Sequence, residues 1–284
     1  MTTTDTDPQR PEQDSTAVLE GLHLIKEYPV GARSGLLRRQ RTMRAVDDVS
    51  ISLARGRVTA IVGQSGSGKS TLGRMLARLI PATSGKIFLE GREVPAKEGS
   101  GHREYVGDVQ LTLQDPFASL NPLRRVAYTL GRAVRIHQDV RGKAVIHERS
   151  LELLKRVGLA PAERYLDRFP HELSGGERQR ISFARALAAS PKVLIADEPV
   201  SMLDVTIRRE MLDLIDSLRR DEALAVLYIT HDLGSARRYS DEVMVMHHGQ
   251  VVESGQSRAV IDDPQHEYTR RLLAAAPNPA ARRR

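Results

Sequence analysis

Short apolar runs, each stopped by glycine or a polar residue, recur at Val58 to Val62, Val193 to Ala196, Val226 to Ile229 and Val243 to Met246. Runs of this length, rich in β-branched residues, predict buried strands. Val49 to Leu53 instead alternates apolar and polar positions, the pattern of a half-buried strand. A first strand opens at Ala17-Val18-Leu19 and leads towards Tyr28-Pro29, and strand-rich patches cover Lys86 to Glu90 and Val106 to Leu113. Between these lie segments with helical spacing. Leu72 to Ile80 is helical in character and ends before Pro81, whose ring disfavours further helix. From Asn121 to about Ala189 the pattern is helical, with Leu153, Leu154 and Val157 on one apolar edge and Ile181, Ala184, Leu187 and Ala188 on another. Ile207, Met211, Leu214, Ile215 and Leu218 mark an amphipathic helix between two of the short runs. Strands alternating with helices predict an α/β fold with a largely parallel sheet, interrupted by a helical insertion. Val30 to Arg44, rich in Gly and Arg with little apolar pattern beyond Leu36-Leu37, reads as a basic surface loop, and residues 1–17 read as a disordered tail.

Composition narrows the class only a little. The 284 residues are 40% hydrophobic and 28% charged, as in ordinary globular proteins. A formal charge of +7 suits acidic partners such as nucleotides, nucleic acid or an anionic membrane face. It equally serves solubility alone, since part of the excess sits in clusters such as Arg38 to Arg41 and Arg282 to Arg284. With no cysteine, disulfides, thiolate metal sites and iron–sulfur clusters are excluded. No stretch approaches the ~18 consecutive apolar residues of a membrane span, and the polar N-terminus lacks the regions of a signal peptide. The expected location is cytoplasmic.

The chemistry begins between the strand at Val58 to Val62 and the helix from Leu72. Gly63, Gln64, Ser65, Gly66, Ser67, Gly68, Lys69 and Ser70 fit G-x-x-x-x-G-K-[ST]. Glycines let the backbone turn tightly and aim N–H groups, continuing to Thr71, at phosphate oxygens. The following helix presents its positive end to the same anion. Lys69 supplies charge to the β- and γ-phosphates, and the Ser70 hydroxyl ligates Mg²⁺. A nucleoside triphosphate site follows, but such a loop serves kinases, GTPases, helicases and transporters alike.

Further segments choose among these. Ser174, Gly175, Gly176 and Glu177 open the helix carrying Ile181, with Ser174 and Glu177 at capping-box spacing. Capping leaves the two glycines unexplained; they bare backbone N–H groups at a helix N-terminus and make a second anion site. The segment resembles the signature motif of ATP-binding cassette (ABC) ATPases, which in that family grips the γ-phosphate held by the opposite subunit. The run ending Asp197-Glu198 resembles the Walker B motif. The resemblance assigns Asp197 to the Mg²⁺ shell and Glu198 to polarising the attacking water. Ser201 to Asp204 is similar to the D-loop that crosses the dimer interface, although Met202 replaces the usual alanine. Gln114 matches the Q-loop glutamine, a Mg²⁺ ligand that senses the membrane partner; His231 matches the switch histidine that contacts the γ-phosphate; Tyr28 matches the aromatic that stacks on adenine. All stand in family order, over residues 18 to 275. The resemblance implies a P-loop NTPase fold with a mixed core sheet, an antiparallel β subdomain and an inserted α-helical subdomain.

Gln114 to Pro122, the basic segment from Val30 to Arg44, and His266 to Pro277 are similar to the oligopeptide, dipeptide and nickel importer ATPases. In the last of these Glu267 stands where the group has proline. The expected organisation is a tail at 1–17, an ATPase domain at 18–260 with its helical subdomain at about 115–188, and a C-terminal extension at 261–284. The implied function is ATP hydrolysis with Mg²⁺ to drive an importer, with oligopeptides or dipeptides as first reading and nickel, glutathione or another small solute as alternatives. The implied partners are a second ABC ATPase (a different subunit favoured over a copy), two transmembrane permeases and, indirectly, a solute-binding protein. A soluble ABC ATPase acting on nucleic acid is disfavoured, since no second cassette or inserted coiled coil is visible; an ABC exporter leaves the importer-like segments unexplained.

Overall fold

The computed structural model describes residues 17–30, 41–95, 101–112 and 120–275. Two sheets organise them. The smaller is antiparallel, in the order β2 (Arg41–Ala54), β1 (Ala17–Val30), β4 (Ser84–Leu89), β5 (Arg92–Glu93). The larger has the order β10 (Gln250–Gln256), β9 (Glu242–His247), β3 (Val58–Val62), β8 (Ala225–Ile229), β7 (Val193–Asp197), β6 (Val109–Thr112). Its members run parallel except β10, which returns antiparallel beside β9.

The short apolar runs form the centre of this larger sheet. Every residue of β3, β7 and β8 is buried, as expected for parallel strands covered on both faces. Alternation still sorts their side chains. Val58, Ala60, Val62, Leu194, Ala196, Val226 and Tyr228 join a core shared with the helices α3 (Val126–His137), α4 (Lys143–Arg156), α6 (Gly175–Leu187) and α7 (Val205–Glu222). Ile61, Val193, Ile195, Leu227 and Ile229 point the other way, onto α1 (Lys69–Leu76) and the apolar face of β1 and β2. The result is three layers, with the parallel sheet in the middle. The predicted alternation at Val49 to Leu53 holds, with Val49, Ile51 and Leu53 buried and Ser50 and Ser52 exposed.

Four sequence expectations need correction. Ala17, placed at the end of the tail, already belongs to β1. Arg41 to Arg44, read as loop, belong to β2, because β1 runs on to Val30 and pairs Tyr28 with Met43 and Val30 with Arg41. A backbone ladder decides there, not an apolar pattern. Val106 to Asp108, read as strand, close the helix α2 (His102–Asp108), which Tyr105 pins by donating its buried hydroxyl to the Leu76 carbonyl. The helix expected to reach Ile80 stops at Leu76; Arg78 turns left-handed at φ 55° and Leu79 is exposed.

Candidate functional site

The parallel strands deliver the site to one edge of the sheet. β3, β8 and β7 all end there: the loop at Gly63 follows β3, Thr230 and His231 follow β8, and Asp197 closes β7 with Glu198 just beyond it. Crevices beyond the carboxyl ends of parallel strands are where α/β folds bind ligands. Cross-ties hold the three together, with Thr230 N–H donating to Ile61 O at 3.0 Å and Glu198 N–H to Ile229 O at 2.9 Å.

Two glycines make the loop possible. Gly63 (φ 152°) and Gly68 (φ 104°) lie in backbone regions that side chains rarely adopt, and a Cβ at either would collide with a backbone carbonyl, Met246 O or Ala45 O respectively. Gly68 is also the N-cap of α1, without a side-chain cap, so the helix's first N–H groups remain for a ligand. Lys69, 5% exposed, folds its ammonium back to donate to Gly63 O and Gln64 O, both at 2.8 Å. Burial pulls its pKa below the usual lysine value, while the Glu198 and Asp197 carboxylates oppose the shift. Gln64 N–H donates in turn to the Tyr268 hydroxyl at 3.1 Å.

Asp197 is 2% exposed and accepts the Ser70 hydroxyl at 2.9 Å. Burial raises its pKa, against the Ser70 hydrogen bond and the Arg74 charge. Ser70 and Asp197 offer hard oxygen donors, and no group of three His, Cys, Asp or Glu able to hold a metal exists among the described residues. This is the donor set of a Mg²⁺ that needs phosphate oxygens to complete its shell, so the residues fit that ion. Beside them, Glu198 Oε1 lies 3.2 Å from His231 Nδ1, with Glu198 largely covered and the imidazole mostly exposed.

Lys69, Ser70 and Glu198 border a groove of about 440 Å³, walled by the loop from Ser65 to Thr71 on one side and Tyr28, Met43 and Arg44 on another, while Asp197 and His231 stand behind Ser70 and Glu198 and do not line it. Tyr28, 36% exposed, stands at its outer wall. Sequence reasoning missed Met43 and His248. Met43 pairs with Tyr28 across β1 and β2, a signal available only once the register is known, and His248 arrives on the β9–β10 turn.

The remaining predicted residues lie apart. Ser174 caps α6, accepting from Glu177 N–H at 3.3 Å, while Glu177 accepts from Ser174 N–H at 2.8 Å. The capping box is therefore real, and one of the two glycines has a local reason too: a Cβ on Gly176 would meet Ile207 Cγ2 at 2.6 Å. Asp204 caps α7, accepting from Thr206 N–H at 3.1 Å and Ile207 N–H at 3.0 Å. Among the described residues, none of Ser174 to Glu177, nor Asp204, borders the groove. Met202 and Val205, beside Asp204, are 63% and 79% exposed. Gln114 lies outside the described residues.

Fold and loop together define an ATP-binding cassette. The family model described as ABC transporter matches residues 46–201, and the chain belongs to that family. Among named relatives, the glutathione import ATP-binding protein GsiA of Escherichia coli O157:H7 is 44% identical over 270 residues, which cover 95% of this chain and 42% of GsiA. GsiA of Salmonella paratyphi A (strain ATCC 9150 / SARB42) is 44% identical over 271 residues, covering 94% and 43%. The chain thus spans about two fifths of the length of these relatives. Among solved structures, cbiO1 from Clostridium perfringens, described as part of the ABC transporter complex cbiONQ, superposes with a TM-score of 0.73 at 27% identity, covering 87% of this chain and 92% of its own. The ATP-binding cassette MJ0796, solved as a dimer in a post-hydrolysis state with ADP and Pi, gives 0.73 at 24% identity over 84% and 99%, a likeness of fold.

Proposed function

We propose that this chain is the ATP-hydrolysing subunit of an ABC importer for small peptide-like solutes. The observation that carries the reading is the convergence of Lys69, the Ser70–Asp197 pair and the Glu198–His231 pair at one sheet edge, around a groove bounded by the phosphate loop. Lys69 leaves its loop carbonyls to meet the β- and γ-phosphates. Ser70 and Asp197, with the Gln114 that the family resemblance adds, would hold Mg²⁺, which would supply positive charge for the phosphate oxygens. Glu198 orients the attacking water and draws on its proton, and the His231 contact fixes the carboxylate while the imidazole reaches the γ-phosphate. Tyr28 stacks on adenine. The rate gain comes from positioning and electrostatic stabilisation, with no covalent intermediate.

One chain supplies half of this site. Ser174 to Gly176 stand away from the groove on a capped helix N-terminus, and Met202 and Val205 leave an apolar step exposed beside Asp204. Both features fit a partner cassette docked head-to-tail, each signature segment facing the other's γ-phosphate and each D-loop crossing the joint. Matching about two fifths of GsiA, the chain leaves that partner to be a separate subunit, different in sequence by preference, or another part of a longer protein. A second groove of about 580 Å³, lined by Gln110, Tyr128, Arg132, Ile136 and His137, opens between β6 and α3 and suits the permease contact expected near Gln114. No helix of the described residues is long and apolar enough to cross a membrane, which fits attachment to the inner membrane face through two permeases. The 261–284 segment is the importer-type extension of an ATPase domain at 18–260, with the helical subdomain at about 115–188. Cargo is chosen by a solute-binding protein and the permeases; glutathione, itself a tripeptide, joins the peptide reading to the named relatives.

The test is Glu198→Gln, which keeps shape and removes the charge. ATP binding should persist while turnover falls by about 10²–10⁴-fold, with a closed dimer accumulating on gel filtration in ATP. Wild-type turnover in that variant would overturn the assignment. Co-purification with two polytopic membrane proteins, and uptake of a labelled peptide or glutathione into proteoliposomes, would test the importer reading; salt-sensitive nucleic-acid binding in their absence would count against it.

A further inference from the structure

The C-terminal helix reaches the phosphate loop. Tyr268, in the first turn of α10 (Glu267–Ala275) and 8% exposed, lays its ring on His247 with centroids 3.8 Å apart and planes 23° apart. Its hydroxyl oxygen accepts the Gln64 N–H at 3.1 Å. The carbonyl of the same residue, Gln64 O, accepts Lys69 Nζ at 2.8 Å. The Gln64 N–H and the Gly63 carbonyl belong to one peptide unit, and that carbonyl also accepts Lys69 Nζ at 2.8 Å, so this peptide and Gln64 O together link the helix to the ammonium. The helix is itself well seated. Glu253 on β10 accepts from Gln265 N–H at 2.7 Å and His266 N–H at 3.1 Å. His266 Nδ1 accepts the Tyr268 N–H at 3.1 Å, and Leu272 and Leu273 pack against the core. His247 ends β9, the strand whose Met246 carbonyl crowds Gly63. The first two residues of the loop are thus held by β9 and α10 together.

We propose that Tyr268 is a positioning residue for the phosphate loop: its hydroxyl fixes the Gln64 peptide and with it the seat of Lys69, so that nucleotide affinity depends on the C-terminal helix. The inference rests on the ATP-site reading above. A loop already held loses less freedom when phosphate enters. The effect falls on binding and not on chemistry, because Lys69 meets phosphate in the ground and transition states alike. A purely structural tyrosine would need only its ring, which the His247 stack and its burial account for; the hydroxyl is spent on the loop.

Tyr268→Phe separates the two roles, keeping the ring and deleting the oxygen. In the full chain with Mg²⁺, the Kd for ATP and for ADP (titration calorimetry) and the KM for ATP should rise about fivefold, the net worth of one hydrogen bond. The kcat should stay near wild type, the melting temperature of the nucleotide-free protein should fall by no more than the roughly 2–4 °C that one lost hydrogen bond implies, and the Gln64 amide should exchange its hydrogen faster. Ala274→Ser, on the exposed face of the same helix, should leave all of these unchanged. Unaltered nucleotide affinity in Tyr268→Phe overturns the proposal, as does a fall in kcat at constant KM, or equal weakening in Ala274→Ser. A wild-type chain that binds neither nucleotide overturns the ATP-site reading itself, and this inference with it.

Discussion

Replacing Gly176 by alanine should destabilise the chain, and trimming Ile207 at the same time should recover the loss. The added Cβ would sit 2.6 Å from Ile207 Cγ2, with the next neighbour, Ile207 Cβ, at 3.9 Å, so the conflict lies with a single methyl group. That methyl cannot retreat easily. Ile207 sits in the first turn of α7, its N–H tied to Asp204 Oδ1 at 3.0 Å, so moving it strains the cap. One methyl of overpacking costs about 1–3 kcal/mol. Alanine regains up to ~1 kcal/mol over glycine in a helix interior, and less in a first turn such as this. The net loss should be about 1–2 kcal/mol, and each kcal/mol lowers Tm by roughly 2–4 °C for a chain of this size. Ile207→Ala alone should cost about 1 kcal/mol, since the side chain is only half-buried. The double variant should then lie at least about 1 kcal/mol above the sum of the singles. Urea and thermal melts of the four proteins measure the cycle. Additivity within ~0.5 kcal/mol, or Gly176→Ala as stable as wild type, would refute the packing argument. Turnover gives a separate reading: if the Gly176 backbone also faces the partner's phosphate, the double variant should regain its Tm without full ATPase activity.

Asp197→Asn should raise stability in the absence of nucleotide and metal. Burial lifts the folded-state pKa of this acid, so the native state binds its proton more tightly than the unfolded chain. Stability from that proton is present below the unfolded value of about 3.9 and is lost as pH rises through the folded pKa. Asparagine still accepts the Ser70 hydroxyl and carries no charge. The gain in Tm over wild type should therefore appear at pH 7 and shrink towards pH 3, and a constant gain at both would contradict the assignment. Tyr28→Ala should weaken ATP binding several-fold, as loss of a ring contact worth about 0.5–1.5 kcal/mol implies, while Tyr28→Phe stays near wild type; equal loss in both would place adenine elsewhere.

What the sequence makes legible here follows from how local each constraint is. β3, β7 and β8 could be read because strands buried on both faces need unbroken apolar runs. The phosphate loop could be read because its path forbids a Cβ at Gly63 and Gly68. The Asp197–Glu198 pair followed from standing at the end of such a run. Contacts set by pairing across long stretches of chain were not legible. Arg41 to Arg44 look like loop until β1 supplies the other half of their ladder, and Met43 enters the groove only through that register. The α2–β6 boundary hides in seven residues too short for periodicity, decided by Tyr105 reaching Leu76. Gly176 was read purely for its bare N–H, because Ile207, which presses on it, lies 31 positions away on another helix. Tyr268 lies within the importer-like segment from His266 to Pro277, and only the fold brings it to Gln64.

Glu198 carries a consequence of a different kind. Successive side chains of an extended strand point to opposite faces, so two adjacent carboxylates at the end of β7 ought to be divided, one to the site and one away from it. The left-handed backbone at Glu198 (φ 46°), pinned through its N–H to Ile229 O, suspends that rule for one residue. Asp197 keeps its contact with Ser70, and Glu198 turns back towards His231. An L-residue with a Cβ carries strain of about 1–2 kcal/mol in this conformation, and glycine, which would relax it, has no carboxylate to offer. Under the proposed mechanism, stability and turnover would therefore make opposite demands on this one position, glycine serving the first and a carboxylate the second.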